Sequence, residues 1–174
     1  VKISFKGNHG LALKADGTVQ GWGNNGYGQR DIPEDLTDVI QIEAGYTFST
    51  VLKSDGTVVS WGDNWQGQID VPEGLSNVVQ ISSGGRSTLA LKSDGTIVGL
   101  GQNDNGQIDV PENLTDVIQL EVGWTHGLAL KSDGTVVAWG SNAHGQTDVP
   151  EGLNNVVQIS TGFRHSIALK SDGT

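Results

Sequence analysis

Four kinds of residue in this chain could do chemistry: histidines, carboxylates, a glycine-spaced fingerprint, and large aromatic side chains set among glycines. His9, His126 and His165 fall at multiples of one spacing, and Phe48 and Ser87 occupy the same position between them. Exchange of His with Phe and Ser points to a packed or hydrogen-bonding site, not to a shared ligand sphere. His144 stands apart, no Ser-His-acid constellation can be assembled, and no catalytic residue is assigned. Gly21-Trp22-Gly23-Asn24-Asn25-Gly26 spells a dinucleotide fingerprint, but Tyr27-Gly28-Gln29 follows where a helix N-terminus would have to meet the pyrophosphate, so no nucleotide cofactor is expected.

The carboxylates recur as Asp31, Asp70, Asp109 and Asp148, each followed by Glu34, Glu73, Glu112 and Glu151. Asn103, Asn105, Gly106, Asp109 and Glu112 echo part of a calcium loop, but Gly101 stands at the first ligand position. A solvated acidic face that also shapes a turn is the better reading. Neither metal nor cofactor is expected.

These groups keep their spacing because the chain is a repeat. Asp16-Gly17-Thr18 returns at residues 55, 94, 133 and 172, an ungapped period of 39 that gives units 1–38, 39–77, 78–116, 117–155 and the partial 156–174. Units 39–77 and 117–155 are identical at 26 of 39 positions, too many for convergence on a composition. Within a unit, short runs rich in Val, Ile and aromatic residues are separated by glycine turns. They predict four strands, at 39–43, 49–53, 57–61 and 67–71, with Ile40 and Ile42 in alternation and a Ser-Asp-Gly hairpin between the second and third. One domain of stacked units follows over 1–174. A small sheet cannot bury both faces alone, and radial stacking of such units gives an all-β propeller of four-stranded blades, here four and a half of them.

The run His126-Gly127-Leu128-Ala129-Leu130-Lys131-Ser132-Asp133-Gly134-Thr135-Val136-Val137-Ala138-Trp139-Gly140, continuing to Gly145-Gln146, resembles the repeat of the regulator of chromosome condensation family. The resemblance covers the whole chain. It is to the short bacterial form, as found in the type II β-lactamase inhibitor protein. Lys6 stands where later units have Gly45, Gly84, Gly123 and Gly162, and Leu100 replaces the blade tryptophan seen at Trp22, Trp61 and Trp139, which recur in strand register and are expected in the core. The resemblance implies a closed ring of six or more blades. This chain is therefore expected to be a fragment of a longer polypeptide, with self-association to complete the ring as the alternative.

Ten basic residues against 20 acidic ones give a net charge of −10. No basic patch remains to neutralise phosphates, so nucleic acid is not an expected partner. No apolar run suits insertion into a membrane, and cysteine is absent. In an up-and-down blade the first and third loops open on one face, the hairpin and inter-blade link on the other. The hairpins and links hardly vary among units, whereas the first and third loops do.

The variable face carries Tyr27, Tyr46, Trp65, Arg86, Trp124, His144, Phe163 and Arg164, which no repeated core position requires. Rigid aromatics with Arg among them match protein-binding hot spots. The expected function is a non-catalytic, acidic, bacterial module, secreted or displayed at the cell surface, that binds a protein partner. Enzyme inhibition is one version of that function. Carbohydrate binding or adhesion is the alternative, and nucleotide exchange on a small GTPase, implied by the family's eukaryotic namesake, is the weaker third.

Overall fold

The computed structural model describes residues Val1–Thr174. Unit one forms β1 (Lys2–Lys6), β2 (His9–Leu13) and β3 (Val19–Gly23), and unit two β4 (Val39–Ala44), β5 (Phe48–Lys53) and β6 (Val58–Gly62). Unit three forms β7 (Val78–Gly84), β8 (Ser87–Lys92) and β9 (Ile97–Gly101), and unit four β10 (Val117–Val122), β11 (His126–Lys131) and β12 (Val136–Gly140). The last unit has β13 (Val156–Thr161) and β14 (Ser166–Lys170). Each unit is its own antiparallel sheet in chain order. Each full hairpin closes on an Asp. Asp55 Oδ1, for example, accepts the Thr57 amide at 2.9 Å and the Thr57 hydroxyl at 2.6 Å, while Gly56 takes φ 80°, where a side chain would be strained.

The first strands β1, β4, β7, β10 and β13 touch one another from blade to blade and so line the axis. Lys6, on the first blade, donates to the carbonyls of Ser83 on β7 and Val122 on β10, which places four blades around one centre.

The core lies between blades. Leu11 and Leu13 of the first unit pack against Val39, Ile42, Ala44, Val51 and Trp61 of the second, and Leu89 and Leu91 of the third against Leu120, Val122, Ala129 and Trp139 of the fourth. Trp61 Nε1 also donates to Gln29 O at 3.0 Å, and Trp139 Nε1 to Gln107 O at 3.0 Å, so each indole reaches the preceding blade. Trp22 belongs to the first blade, against which no such loop is packed, and remains 40% exposed instead of joining the core as its register suggested.

Two further features differ from the sequence reading. A β-bulge between Val39 and Gln41, repeated at Val78/Gln80, Val117/Gln119 and Val156/Gln158, breaks the alternation of the inner strand. Val39 and Ile42 therefore face the core, and Ile40 turns outward. The segment 67–71 joins no ladder, because its backbone donors are taken locally: Ile69 N bonds Asn64 Oδ1 at 3.2 Å, Asp70 N bonds Gly67 O at 3.1 Å, and Val71 N bonds Ile69 O at 2.9 Å. Three of the four expected strands form in each full unit.

The inner strand is an edge of its sheet, and an open edge is a liability. It is closed by a glutamine of the preceding blade. Gln41 accepts from Ile81 N at 3.0 Å and donates to Ile81 O at 2.6 Å. Gln80 does the same to Leu120, at 3.0 and 3.3 Å, and Gln119 to Ile159, at 3.0 and 2.9 Å. The side-chain amide thus pairs with a peptide as another strand would. In the first unit Lys2 occupies this position and only donates, to Ile40 O at 2.9 Å.

Replacing Gln80 by Ala leaves the Leu120 amide without its partner. Chemical denaturation should show a loss of about 1–3 kcal/mol, whereas Gln158→Ala, at an exposed position whose side chain clasps no neighbouring peptide, should be nearly neutral. Equal effects would show that the amide clasp does not hold the blades together.

Candidate protein-binding face

The third loop of each full unit is a fixed frame around two free positions. Asn25 Oδ1 accepts the Arg30 amide at 2.8 Å while its Nδ2 donates to Asp31 Oδ1 at 2.7 Å, and Gln29 Oε1 accepts the Tyr27 amide at 2.9 Å. Asn64 bonds Ile69 N and Asp70, Asn103 bonds Ile108 N and Asp109, and Asn142 bonds Thr147 N and Asp148, with Gln68, Gln107 and Gln146 in the second role. All four glutamines are buried. The residues enclosed between Asn and the next framework glycine are Gly26-Tyr27, Trp65-Gln66, Asp104-Asn105 and Ala143-His144, and all are exposed.

The repeated aspartates are therefore turn-forming, each with one oxygen engaged by the amide of its Asn. Asp109, the best of the calcium-loop candidates, is committed in this way. No group of three or more His, Cys, Asp or Glu comes together to share a metal ion.

First and third loops of one unit meet on the same face, where Thr47 Oγ1 donates to Asp63 Oδ2 at 2.8 Å and Asp63 N to Thr47 O at 3.0 Å. First loops of successive blades converge at the axis. Tyr46 N donates to Gly85 O at 2.8 Å, the Tyr46 and Trp124 rings lie 4.7 Å apart edge to face, and Trp124 and Phe163 lie 4.7 Å apart with tilted planes. Arg164 rests over the Phe163 ring at 5.1 Å. A Cβ on Gly7 would sit 2.8 Å from the Tyr46 ring, so this cluster needs that glycine. Farther out, Tyr27 and Trp65 of adjacent blades meet edge to face at 6.0 Å.

The eight residues singled out from sequence thus fall into distinct places. Tyr46, Trp124, Phe163 and Arg164 form one axial cluster, in which Tyr46 and Trp124 are half-buried by packing on neighbouring loops. Tyr27 and Trp65 form an exposed outer pair, with Trp65 75% exposed. Arg86, in the first loop of its blade, is partly buried, its Nε without a partner. His144 is exposed at the rim of a cavity beside β14. Gln66, Asp104 and Asn105, which the sequence places in the variable third loops, are exposed on the same face. Their signal was present in the sequence as the Asn-x-x-Gly-Gln frame.

Two of the three repeated histidines, His9 and His126, are buried and structural. His9 Nε2 lies 3.0 Å from Ser49 Oγ, and Ser49 donates its own proton to Gln29 O at 2.7 Å, so the serine must accept from the imidazole. His126, Ser166 and Gln146 O repeat the arrangement at 3.0 and 2.7 Å. This is the reverse of a base activating a nucleophile. Burial holds the pKa values of both imidazoles below the ordinary value, favouring the neutral ring.

Three residues before the axial aromatics stand Glu43 and Glu121, with Lys6 nearby across the axis. Burial pushes the Glu43 carboxyl up to about 7, against the opposing pull of Lys6, and raises Glu121 as well.

The sequence profile described as the regulator of chromosome condensation (RCC1) repeat matches residues 1–29, 39–68, 78–107 and 117–146, more than half of the chain. The chain belongs to this repeat family. No curated protein sequence matches it as a relative. Among solved structures it is similar to Prp20p from Saccharomyces cerevisiae, with a TM-score of 0.84 at 20% identity over 98% of this chain and 56% of that one. It is likewise similar to human WBSCR16, with a TM-score of 0.78 at 24% identity over 99% of this chain and 59% of that one. The ectodomain of the receptor kinase CR4 from Physcomitrella patens gives 0.81 at 22% identity over 98% and 50%. The chain thus spans between half and three-fifths of these proteins, and the shared feature is the fold. The Prp20p structure is described together with that protein's binding to Gsp1p and histones.

Because Glu43 has a folded pKa raised above 4.5, its neutral form is the one the fold favours, so its stabilising contribution is complete below pH 4.5 and is lost as pH rises through about 7. Glu43→Gln should therefore gain stability over the wild type progressively across that window, read as the difference in melting temperature between pH 4 and pH 8. A difference independent of pH would show that the carboxyl is not held in its neutral form.

Proposed function

We propose that the chain is a non-catalytic recognition module that binds a protein partner through the first- and third-loop face. The observation that carries this reading is the hydrogen-bonded frame of the third loops. Four copies of one scaffold hold their backbones rigid while the two enclosed residues differ in each, so the ordering cost of binding is met before the partner arrives. The exposed Tyr27–Trp65 pair and the Phe163–Arg164 edge of the axial cluster supply the large, stiff apolar contacts typical of hot spots. Prp20p, whose structure is described together with its binding to Gsp1p and histones and which is also solved bound to Kap60, has partners of this class. Inhibition of an enzyme is a finer version of the same reading, in which the loop face covers an active site. Placement outside the cell or at its surface is part of the same proposal.

Sugar stacking is the second reading, favoured by one feature: the exposed Trp65 ring lies beside a loop built on Asn64 and Asp70. Affinity capture of partners and a glycan array, each run with wild type and with Trp65→Ala, separate the two. Loss of a protein partner on substitution supports the first reading; retention of every protein partner together with loss of a glycan signal overturns it.

The two classes of tryptophan should separate by stability. Trp61→Ala removes an indole from the inter-blade core and should cost about 3–5 kcal/mol, while Trp65→Ala should change stability by no more than about 0.5 kcal/mol and weaken partner binding by about 2 kcal/mol or more. Trp124→Ala should fall between them in stability, because its ring packs against both Tyr46 and Phe163. Unfolding of Trp65→Ala at the temperature of Trp61→Ala would remove Trp65 from the binding face.

A further inference from the structure

The inner-strand bulge turns one side chain per unit away from the core, and that side chain is Ile40, Val79, Ile118 and Val157 in turn, each between 44 and 58% exposed. The inter-blade core uses none of them. They stand at the start of the inner strand, on the hairpin face, opposite the variable loops.

Val79 opens into a groove of about 760 Å³ walled by the Lys92–Thr96 hairpin of its own unit and by Leu114–Val117 of the next. One unit on, Ile118 lines a second groove of about 380 Å³ with Lys131–Gly134 and Asn155–Val157. Backbone bonds hold these walls: Ser93 N donates to Asn77 O and Ser132 N to Asp116 O, both at 2.8 Å. Val156 N donates to Gly134 O at 3.1 Å across the second groove. The matching bond from Val117 to Gly95 is not made, and the first groove is the larger.

The cations of both grooves are already engaged, Lys92 with Asp94 at 3.3 Å and Lys131 with Asp133 at 3.6 Å. The link carboxylates Glu73, Glu112, Asp116 and Glu151 are exposed, and none is in an ion pair. Aliphatic side chains thus lie in grooves whose rim carries uncompensated negative charge.

We propose that the hairpin face is a second docking surface, on which a lysine- or arginine-rich segment of a protein partner lies across successive grooves. It seats one apolar side chain on Val79 and another on Ile118, and sets its cations against Asp116 and Glu112. The exposed aliphatics ask for apolar anchors, and the acidic rim selects a cationic segment while repelling nucleic-acid phosphates and anionic lipid headgroups. A second copy of this chain would bring the same acidic links against these. The surface is separate from the loop face, so its failure would leave the proposed function standing.

The test uses the intact chain and synthetic peptides of equal length with alternating Lys-Leu, Lys-Ser or Glu-Leu sequence. In an NMR titration the Lys-Leu peptide should shift the amides of Val79, Asp94–Thr96 and Asp116–Ile118 and leave those of Tyr27 and Trp65 in place. Val79→Thr with Ile118→Thr keeps both side chains β-branched, and should weaken binding roughly tenfold or more with melting unchanged. Asp116→Asn installs the residue that stands at the equivalent positions Asn77 and Asn155. It should weaken binding about twofold to fivefold, and reads the same contact where the double variant melts early. Trp65→Ala should bind the peptide as the wild type does. No binding at millimolar Lys-Leu peptide, equal binding of the Lys-Ser or Glu-Leu peptide, shifts confined to the loop face, or undiminished binding by the folded variants would overturn the proposal. Binding of phosphatidylserine vesicles, or self-association of the chain, that is lost in the double variant would assign the grooves another occupant and equally overturn it.

Discussion

The structure depends on one interaction, the pairing of a glutamine amide with the peptide of the next blade's inner strand. Gln41, Gln80 and Gln119 each give and take one hydrogen bond at Ile81, Leu120 and Ile159. Three-stranded sheets of this size are marginal alone, and each core cluster is shared by two blades. Apolar burial attracts one blade to the next without fixing how far it slides. The glutamine sets the register, because a two-point amide contact is satisfied at only one peptide. The bulge that precedes each glutamine serves the same contact, since it turns Ile40, Val79, Ile118 and Val157 outward and leaves the inner strand's polar edge toward the neighbouring blade.

With register fixed, function is free to vary at the loop tips. The frame residues Asn25, Gln29 and Asp31 and their copies spend their polar atoms on the loop's own backbone and on one another, so exposed neighbours such as Tyr27, Trp65 and His144 carry little structural duty. The first loops behave differently. Their aromatics converge at the axis, and Tyr46 and Trp124 contribute to holding the blades together while Phe163 and Arg164 remain exposed. In the proposed function, stability and recognition are therefore separate duties in the third loops and shared ones in the first.

Much of this was legible in the sequence because the period of 39 converts one unit's pattern into five observations. The hairpins at Asp55-Gly56 and the strands around them follow from local chemistry, and the structure places them where the letters do. The features that escaped depend on neighbours in space. Ile40 and Ile42 look equivalent by alternation, yet the bulge separates them, and nothing in the five letters Val-Ile-Gln-Ile-Glu announces that Gln41 will bond a strand 40 residues away. Segment 67–71 has strand composition, but Asn64 captures its amide donor first. Trp22 shares the register of Trp61 and differs only in what lies beyond it.

A glutamine-clasped frame that carries exchangeable loop tips should survive the loss of those tips, and one multiple variant decides whether it does. Replacing Gly26-Tyr27, Trp65-Gln66, Asp104-Asn105 and Ala143-His144 together by Asn-Ala, with every Asn, Gln and Asp of the frame kept, removes the third-loop surface and leaves the scaffold. Measured together, thermal unfolding and hydrogen exchange of the Ile81, Leu120 and Ile159 amides should match the wild type, and the partner captured by the wild type should be lost. Unfolding of this variant, or retention of the partner by a folded one, would mean that frame and tips are not the separate parts described above.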